Sequence, residues 1–314
     1  MDYSRLDARH QDALLPRGRR TPDHTDAVGT RAAGRRRWGA SKRSLVVGGS
    51  VLCLFLLTSC GGEDGLTDPP PDEDVLGVSE QAPTGDPGVP SQGLVASYDM
   101  TTLTDDGLLR DFSGRGLHGS IEGTTTTETP RGGARVFGGA STDLVDLPDA
   151  SDFDLDGPLS VVARFRVDLA GQHQHLVACD NKFVLWLDGG DRVRFANTLG
   201  DGAETSARLS SGEWHVVIGV FRGTAGDAID DSNLEIWIDG VRAPVGFRNI
   251  DGATPPFMWQ DGALRATNAC FIGVEAHGGD PREQNLPFHG AIDEIVIFGR
   301  ALTADEVAVL SVSP

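Results

Sequence analysis

The feature that most constrains this chain is a strict alternation of apolar and polar side chains in short runs after residue 93. In one run Val161, Ala163 and Phe165 alternate with Arg164 and Arg166, and most such runs end at Gly, Asp, Asn or Pro. A period of two places alternate side chains on opposite faces of a β-strand. No fixed long period is visible, which argues against a propeller or a solenoid. Residues 94–314 are therefore predicted to form one all-β domain, a two-sheet antiparallel sandwich.

Several further segments carry the same signal, and one segment predicts a helix. A Gly-rich turn at 188–191 joins two predicted strands into a hairpin. Thr303 and Glu306 have the spacing of a capping box and precede an apolar run, which predicts a short C-terminal helix. The remaining predicted strands lie at 183–187, 193–195, 214–220 and 234–238.

The N-terminal 59 residues have the organisation of an export signal rather than of a domain. A polar, arginine-rich stretch precedes an apolar run at 45–57, which is shorter than the ~20 residues that span a bilayer as a helix. The residues Leu57-Thr-Ser-Cys60 resemble a bacterial lipobox, which implies that Cys60 carries lipid and becomes the mature N-terminus. Gly61 rather than Asp follows the cysteine, and resemblance to sorted lipoproteins then implies that the protein is anchored in the outer membrane or at the cell surface. A signal anchor or a non-lipidated signal peptide is the alternative.

Residues 60–93 are rich in Pro, Gly and acidic side chains and are predicted to be a flexible tether. The whole chain has a formal net charge of −19. Its first 59 residues contain more basic than acidic side chains, so the remainder is more acidic still. Nucleic-acid binding depends on clustered Lys and Arg, so nucleic acid is excluded as a partner, and membrane contact is expected through the lipid alone.

Two cysteines remain in the predicted domain after Cys53 leaves with the signal and Cys60 is lipidated. Cys179 and Cys270 both lie in strand-like runs. In an exported protein they either pair as a disulfide, which requires the two strands to be neighbours, or remain as two buried thiols.

Four stretches resemble, in order, the laminin-G-like members of the concanavalin A-like jelly rolls. One is an opening strand followed by an Asp-x-Ser-Gly turn, and another is a Trp-His hairpin that ends in an Asp-Gly turn. The stretches are 94–120, 136–165, 213–241 and 271–306. The resemblance implies a jelly-roll domain that binds carbohydrate or a glycoconjugate. The segment 247–267 departs from the family pattern.

The same resemblance implies a structural calcium site at Asp293, with Asp99 or Asp111 as its partner. Ca²⁺ takes hard oxygen ligands, which this acidic chain supplies. The alternative is that Asp293 caps turn amides beside Gly290. Strand alternation predicts that Asp293 and Glu294 point to opposite faces and do not act together.

The sequence does not support catalysis, since it contains no Gly-x-Ser-x-Gly elbow, no His-Glu-x-x-His motif and no phosphate loop. His215 is interpreted as a framework residue. Trp259 and Phe257 are predicted either to form an exposed platform for a sugar or to close the end of the core. The predicted function is glycan binding without catalysis; the alternatives are an adhesion module that binds an envelope protein and a polysaccharide hydrolase or lyase.

Overall fold

The computed structural model describes residues 88–148, 151–153, 155, 157–179, 182–197, 200–249, 256–259, 269–275 and 286–312. All of them belong to one compact unit. The strands are β1 (Leu94–Tyr98), β2 (Ser120–Glu122), β3 (Thr125–Thr127), β4 (Ala134–Gly138), β5 (Leu144–Leu147), β6 (Leu159–Val167), β7 (Gln174–Cys179), β8 (Phe183–Leu187), β9 (Val193–Ala196), β10 (Gly202–Thr205), β11 (Trp214–Phe221), β12 (Leu234–Ile238), β13 (Val241–Arg242), β14 (Val245–Arg248), β15 (Cys270–Ile272) and β16 (His289–Phe298). A 3-10 turn spans Ser151–Phe153, and the helix α1 spans Ala304–Ser311.

The first sheet has the strand order β13-β12-β11-β6-β16-β4-β3, and β1 also pairs with β16. The strand β16 is long enough to serve two partners along one edge. Its first half pairs with β4 and its second half pairs with β1, while β6 follows its other edge. The last strand of the chain therefore joins the first strand to the middle of the sheet.

The second sheet has the order β14-β10-β9-β8-β7-β15-β5-β2. All of its pairings are antiparallel, as are those of the first sheet. The hairpin predicted at the Gly-rich turn is formed by β8 and β9. The architecture confirms the predicted two-sheet antiparallel sandwich.

A single large hydrophobic core fills the space between the two sheets. Phe165 and Ile295 reach it from the first sheet, and Leu185 and Phe195 reach it from the second. These side chains are fully buried. Each buried side chain of this size contributes ~1.5–3 kcal/mol of hydrophobic stabilisation. Helix α1 is too short to cross a membrane, and the described residues include no other α-helix.

The outer face of the first sheet is covered as well, because α1 packs against it. Val307 and Leu310 of the helix join a second apolar cluster with Val162, Ile218 and Val296 of the sheet. The predicted capping box is present: the Thr303 side chain accepts from the Glu306 N–H, and the Glu306 side chain accepts from the Thr303 N–H. Burial on both faces explains why β16 is almost continuously apolar.

A β-bulge interrupts β16 at Asp293. Ile292 pairs with Phe165, and Glu294 pairs with Arg164, the next residue along β6. Asp293 is therefore an extra residue on β16, between two residues that pair with successive residues of β6. The bulge shifts the alternation by one residue, and Ile292 consequently lies in the same core cluster as Ile295. Uninterrupted alternation would instead have put Ile292 and Ile295 on opposite faces of the strand.

Candidate functional site

Asp293 and Glu294 lie together beside two arginines, contrary to the prediction that alternation separates them. The Asp293 carboxylate is 3.3 Å from Arg131 Nε and 3.8 Å from Arg164 Nε. Glu294 and the same two arginines line a pocket of about 250 Å³ under the end of α1. Arg164 also donates to the carbonyl of Leu310 at 3.4 Å. This buried charge cluster joins the first sheet to the helix.

Asp111 and Asp99, either of which was predicted to hold calcium together with Asp293, are both engaged by hydrogen-bond donors. Asp111 accepts four hydrogen bonds, from the N–H groups of Ser97, Ser113 and Leu117 and from the Ser113 hydroxyl. A carboxylate offers about four lone pairs, so these donors occupy Asp111 fully. Asp99 accepts from the Thr101 and Thr102 N–H groups and from the Thr102 hydroxyl. The described residues contain no cluster of three His, Cys, Asp or Glu side chains suited to a metal ion. They do not fit the predicted site, and calcium binding stays a prediction.

Trp259 and Phe257 do not form an exposed platform, and the structure corrects that prediction. Trp259 is 1% exposed and Phe257 is 4% exposed. The Trp259 ring stacks on Phe221, with ring centroids 4.1 Å apart and planes inclined by 14°. The Trp259 N–H and carbonyl bond the backbone of Asp227 and Gly226. Burying these large aromatic side chains is more favourable than leaving them in water. Trp259 and Phe257 therefore close the end of the core, which was the alternative prediction for them.

Cys179 and Cys270 are joined by a disulfide. The two residues are direct partners in the pairing of β7 with β15, so the strands are neighbours as pairing requires. The link connects positions 91 residues apart in sequence and fixes β15 to the hairpin of β7 and β8. Cys60 lies outside the described residues.

Two regions away from the core hold enough polar and aromatic groups to bind a ligand. The first is a row across the outer face of the second sheet, in which His175, Trp186, Arg194 and Glu204 are successive cross-strand partners. The Arg194 guanidinium lies 4.6 Å from the centre of the Trp186 ring and 3.8 Å from the Glu204 carboxylate. Burial lowers the pKa of Arg194, and the Glu204 charge opposes that shift. All four side chains are buried, so the row is closed to ligands in this structure.

The second region is an open cleft of about 340 Å³ formed by the segment 104–118 between β1 and β2. Asp111 lies in the lining of this cleft. The hydrogen bonds that it accepts from Ser113 and Leu117 hold the turn at 113–117 in place. Gly114 and Gly116 have φ angles of 83° and 74°, which side-chain-bearing residues rarely adopt. The Phe112 N–H donates to the carbonyl of Ser97 at 2.8 Å, which ties the rim of the cleft to β1.

Four side chains on the cleft are available to a ligand: Asp105, Arg110, Phe112 and His118. Asp105 and Arg110 are exposed, and Phe112 and His118 are half-buried. The Arg110 guanidinium lies 5.5 Å from the centre of the Phe112 ring. The Asp111 N–H donates to His118 Nδ1 at 3.0 Å, so Nε2 carries the proton of the neutral ring and can donate. The cleft thus offers an acceptor, two donors and an aromatic ring.

The Asp-x-Ser-Gly turn at 111–114 was recognised in the sequence as a family motif, with Asp111 as a possible calcium partner, but the cleft around the turn was not predicted. The signal available was the order Arg110, Phe112, His118 within a Gly-rich turn. Alternation and spacing do not indicate that such a turn is concave.

A family model described as the concanavalin A-like lectin/glucanases superfamily, a laminin-G type, matches residues 137–308, more than half of the chain. The protein therefore belongs to this family, as its ordered motifs predicted. No curated protein matches the sequence.

Three solved structures illustrate the likeness. Trypanosoma rangeli sialidase in complex with sialic acid is 14% identical, with a TM-score of 0.47, over 71% of this chain and 33% of that chain. Domain 4 of AbnA, a GH43 arabinanase from Geobacillus stearothermophilus, in complex with arabinotriose, is 21% identical, with a TM-score of 0.46, over 70% of this chain and 98% of that one. The binding domain of Paraclostridial Mosquitocidal Protein 1 is 14% identical, with a TM-score of 0.49, over 70% and 52%. The chain spans about a third of the sialidase.

Proposed function

We propose that the domain 94–314 binds carbohydrate without cleaving it, and that it does so as the exposed part of an exported lipoprotein anchored through Cys60. The observation that carries the binding proposal is the open cleft at 104–118, where a ring, a guanidinium and a carboxylate converge. Membership of a lectin-containing superfamily supports the same ligand class.

The chemistry of the cleft suits a sugar. A pyranose presents C–H groups on one face and hydroxyls around its edge, so it packs on an aromatic ring while its hydroxyls bond planar polar side chains. Phe112 supplies the ring, and Asp105 and Arg110 supply an acceptor and donors beside it. Ligand sites of this kind combine an apolar surface with a few converging polar groups.

The binding proposal is tested on a glycan array, with isothermal titration calorimetry of any glycan that binds. We expect Phe112→Ala and Arg110→Ala to weaken binding by at least about tenfold, since each removes a group at the centre of the site. Arg208→Ala, which removes an exposed arginine outside the cleft, is the matched control and should bind like the wild type.

Two outcomes would overturn the proposal. One is an array without a bound glycan; recovery of an envelope protein in a pull-down would then favour the adhesion alternative. The other is glycan binding that Phe112→Ala and Arg110→Ala leave unchanged. Turnover of a polysaccharide would favour the hydrolase or lyase alternative.

Anchoring is tested separately by growing a bacterial host with an alkyne-labelled fatty acid. The wild-type protein should take up the label and fractionate with membranes, and Cys60→Ser should do neither. The Cys53→Ser variant is the control, because that residue leaves with the signal. Equal labelling of wild type and Cys60→Ser would contradict lipidation at this position.

A further inference from the structure

Three polar side chains that do not line the cleft form a continuous hydrogen-bonded chain at the start of β11. Ser210 lies in the loop between β10 and β11, His215 is the second residue of β11, and Asp239 lies in the turn after β12. Ser210 Oγ is 3.0 Å from His215 Nε2. His215 Nδ1 is 2.9 Å from Asp239 Oδ2. These are the contacts of a nucleophile, a base and a carboxylate that orients the base.

The position of the protons follows from the partners of Asp239. Its Oδ1 accepts from the Val216 N–H at 2.8 Å, which fixes the carboxylate against the ring. A carboxylate at Nδ1 requires the proton of the neutral imidazole on Nδ1, and Nε2 is then an acceptor. The Ser210 hydroxyl is the donor placed to fill that acceptor. When Nε2 carries a proton, it can also donate to the Ser210 carbonyl oxygen, which lies 3.3 Å away.

The chain of contacts is open to solvent at the end where chemistry would occur. Ser210 is exposed, while the His215 side chain is 13% exposed and thus partly shielded. Asp239 sits in a tight turn with φ of 50°, and Gly240 follows with φ of 79°. The pairing of β11 with both β6 and β12 holds His215 and the Asp239 turn in place. A substrate can therefore reach Ser210 Oγ without rearrangement of the sheet.

We propose that Ser210, His215 and Asp239 form an esterolytic centre that accepts acyl groups from activated esters. Ser210 Oγ attacks the ester carbonyl carbon while its proton passes to His215 Nε2. The carbon–oxygen bond to the leaving group breaks, and the leaving alcohol takes the proton from His215. Water then attacks the acyl-serine in the same way, releasing a carboxylic acid and restoring the Ser210 hydroxyl. Asp239 is a positioning residue, since it acts only through His215.

The described contacts assign a nucleophile, a base and an orienting group to this centre. These contacts do not include a donor for the oxyanion of the tetrahedral intermediate, and loss of one such donor costs serine hydrolases on the order of 10²–10³ in kcat. We therefore assign the centre to aryl esters and other activated acyl donors rather than to amides, because their leaving groups need little assistance.

The test uses the purified full chain with p-nitrophenyl acetate and with a fluorophosphonate, which modifies activated serines. We expect the fluorophosphonate to label Ser210, as located by mass spectrometry of peptides, and the ester to be hydrolysed. Ser210→Ala and His215→Ala should each reduce ester hydrolysis by about two orders of magnitude or more. Ser211→Ala, which changes the adjacent exposed serine, is the matched control and should behave like the wild type.

Asp239→Asn distinguishes a positioning role from a purely structural one. The variant keeps an oxygen for the Val216 N–H but presents an amide to Nδ1, which favours the tautomer that carries its proton on Nε2. We expect unchanged thermal stability together with a loss of Ser210 labelling by the fluorophosphonate. Equal labelling of Ser210 and Ser211, or equal ester hydrolysis by wild type and Ser210→Ala, would overturn the proposal. Glycan binding at the cleft shares none of these residues, so the two proposals stand or fall separately.

Discussion

Asp111 illustrates how a single buried carboxylate shapes the surface above it. It is 5% exposed, and its two oxygens accept from three backbone N–H groups and one hydroxyl of the opening turn. Burial of a charge is tolerated when such donors replace water. The residue therefore acts as the framework of the cleft rather than as part of its binding surface.

Replacement of Asp111 by Asn should destabilise the domain by about 1–3 kcal/mol, because an amide N–H₂ would face donors that now point at a carboxylate oxygen. Urea unfolding followed by tryptophan fluorescence measures the change. Asp105→Asn, on the exposed rim of the same cleft, is the control and should change stability by less than about 0.5 kcal/mol. Equal effects of the two substitutions would contradict the framework role of Asp111.

At the scale of elements, α1 is held by a local cap and by an ion pair from outside it. Arg300 donates to both oxygens of Glu306, at 2.8 and 2.6 Å, and Glu306 also accepts from the Thr303 N–H. The Arg300 hydrogen bonds are the main cause that lowers the pKa of Glu306 from 4.5 to about 2. The folded state therefore favours the charged form of Glu306.

A lowered pKa contributes stability above the unfolded value near 4.5, and that contribution is lost as the pH falls toward 2. The wild type should accordingly lose more stability than Glu306→Gln between about pH 5 and pH 2. Urea midpoints measured across this range provide the test, with the exposed Asp305→Asn as the control. Parallel pH profiles of the wild type and Glu306→Gln would show that the pairing with Arg300 contributes nothing.

At the scale of the whole molecule, the two sheets are held together by a shared core, and the Cys179–Cys270 disulfide links β7 to β15 within the second sheet. The strand β16 pairs with β1, β4 and β6 and so joins the beginning and the end of the predicted domain. Asp293, at the bulge of this strand, forms ion pairs with Arg131 and Arg164. Two positive charges beside Asp293 disfavour a divalent cation at that position.

We therefore expect the same melting temperature in EDTA and in millimolar Ca²⁺, since a ligand stabilises a protein only when it binds the folded state. Differential scanning fluorimetry of the full chain measures both conditions, with Mg²⁺ as the control for ionic strength. A rise in melting temperature with Ca²⁺ but not with Mg²⁺ would support the calcium site implied by the family resemblance.

The sequence by itself determined the features that depend on neighbouring residues. Alternation predicted strands such as β6 and β11, and the Thr303 spacing predicted the cap of α1, because backbone geometry over a few residues dictates both. Tertiary structure decided the bulge at Asp293, the burial of Trp259 against Phe221 and the meeting of Ser210, His215 and Asp239. Each of these depends on which distant strands become neighbours and in what register, and local periodicity does not encode that choice.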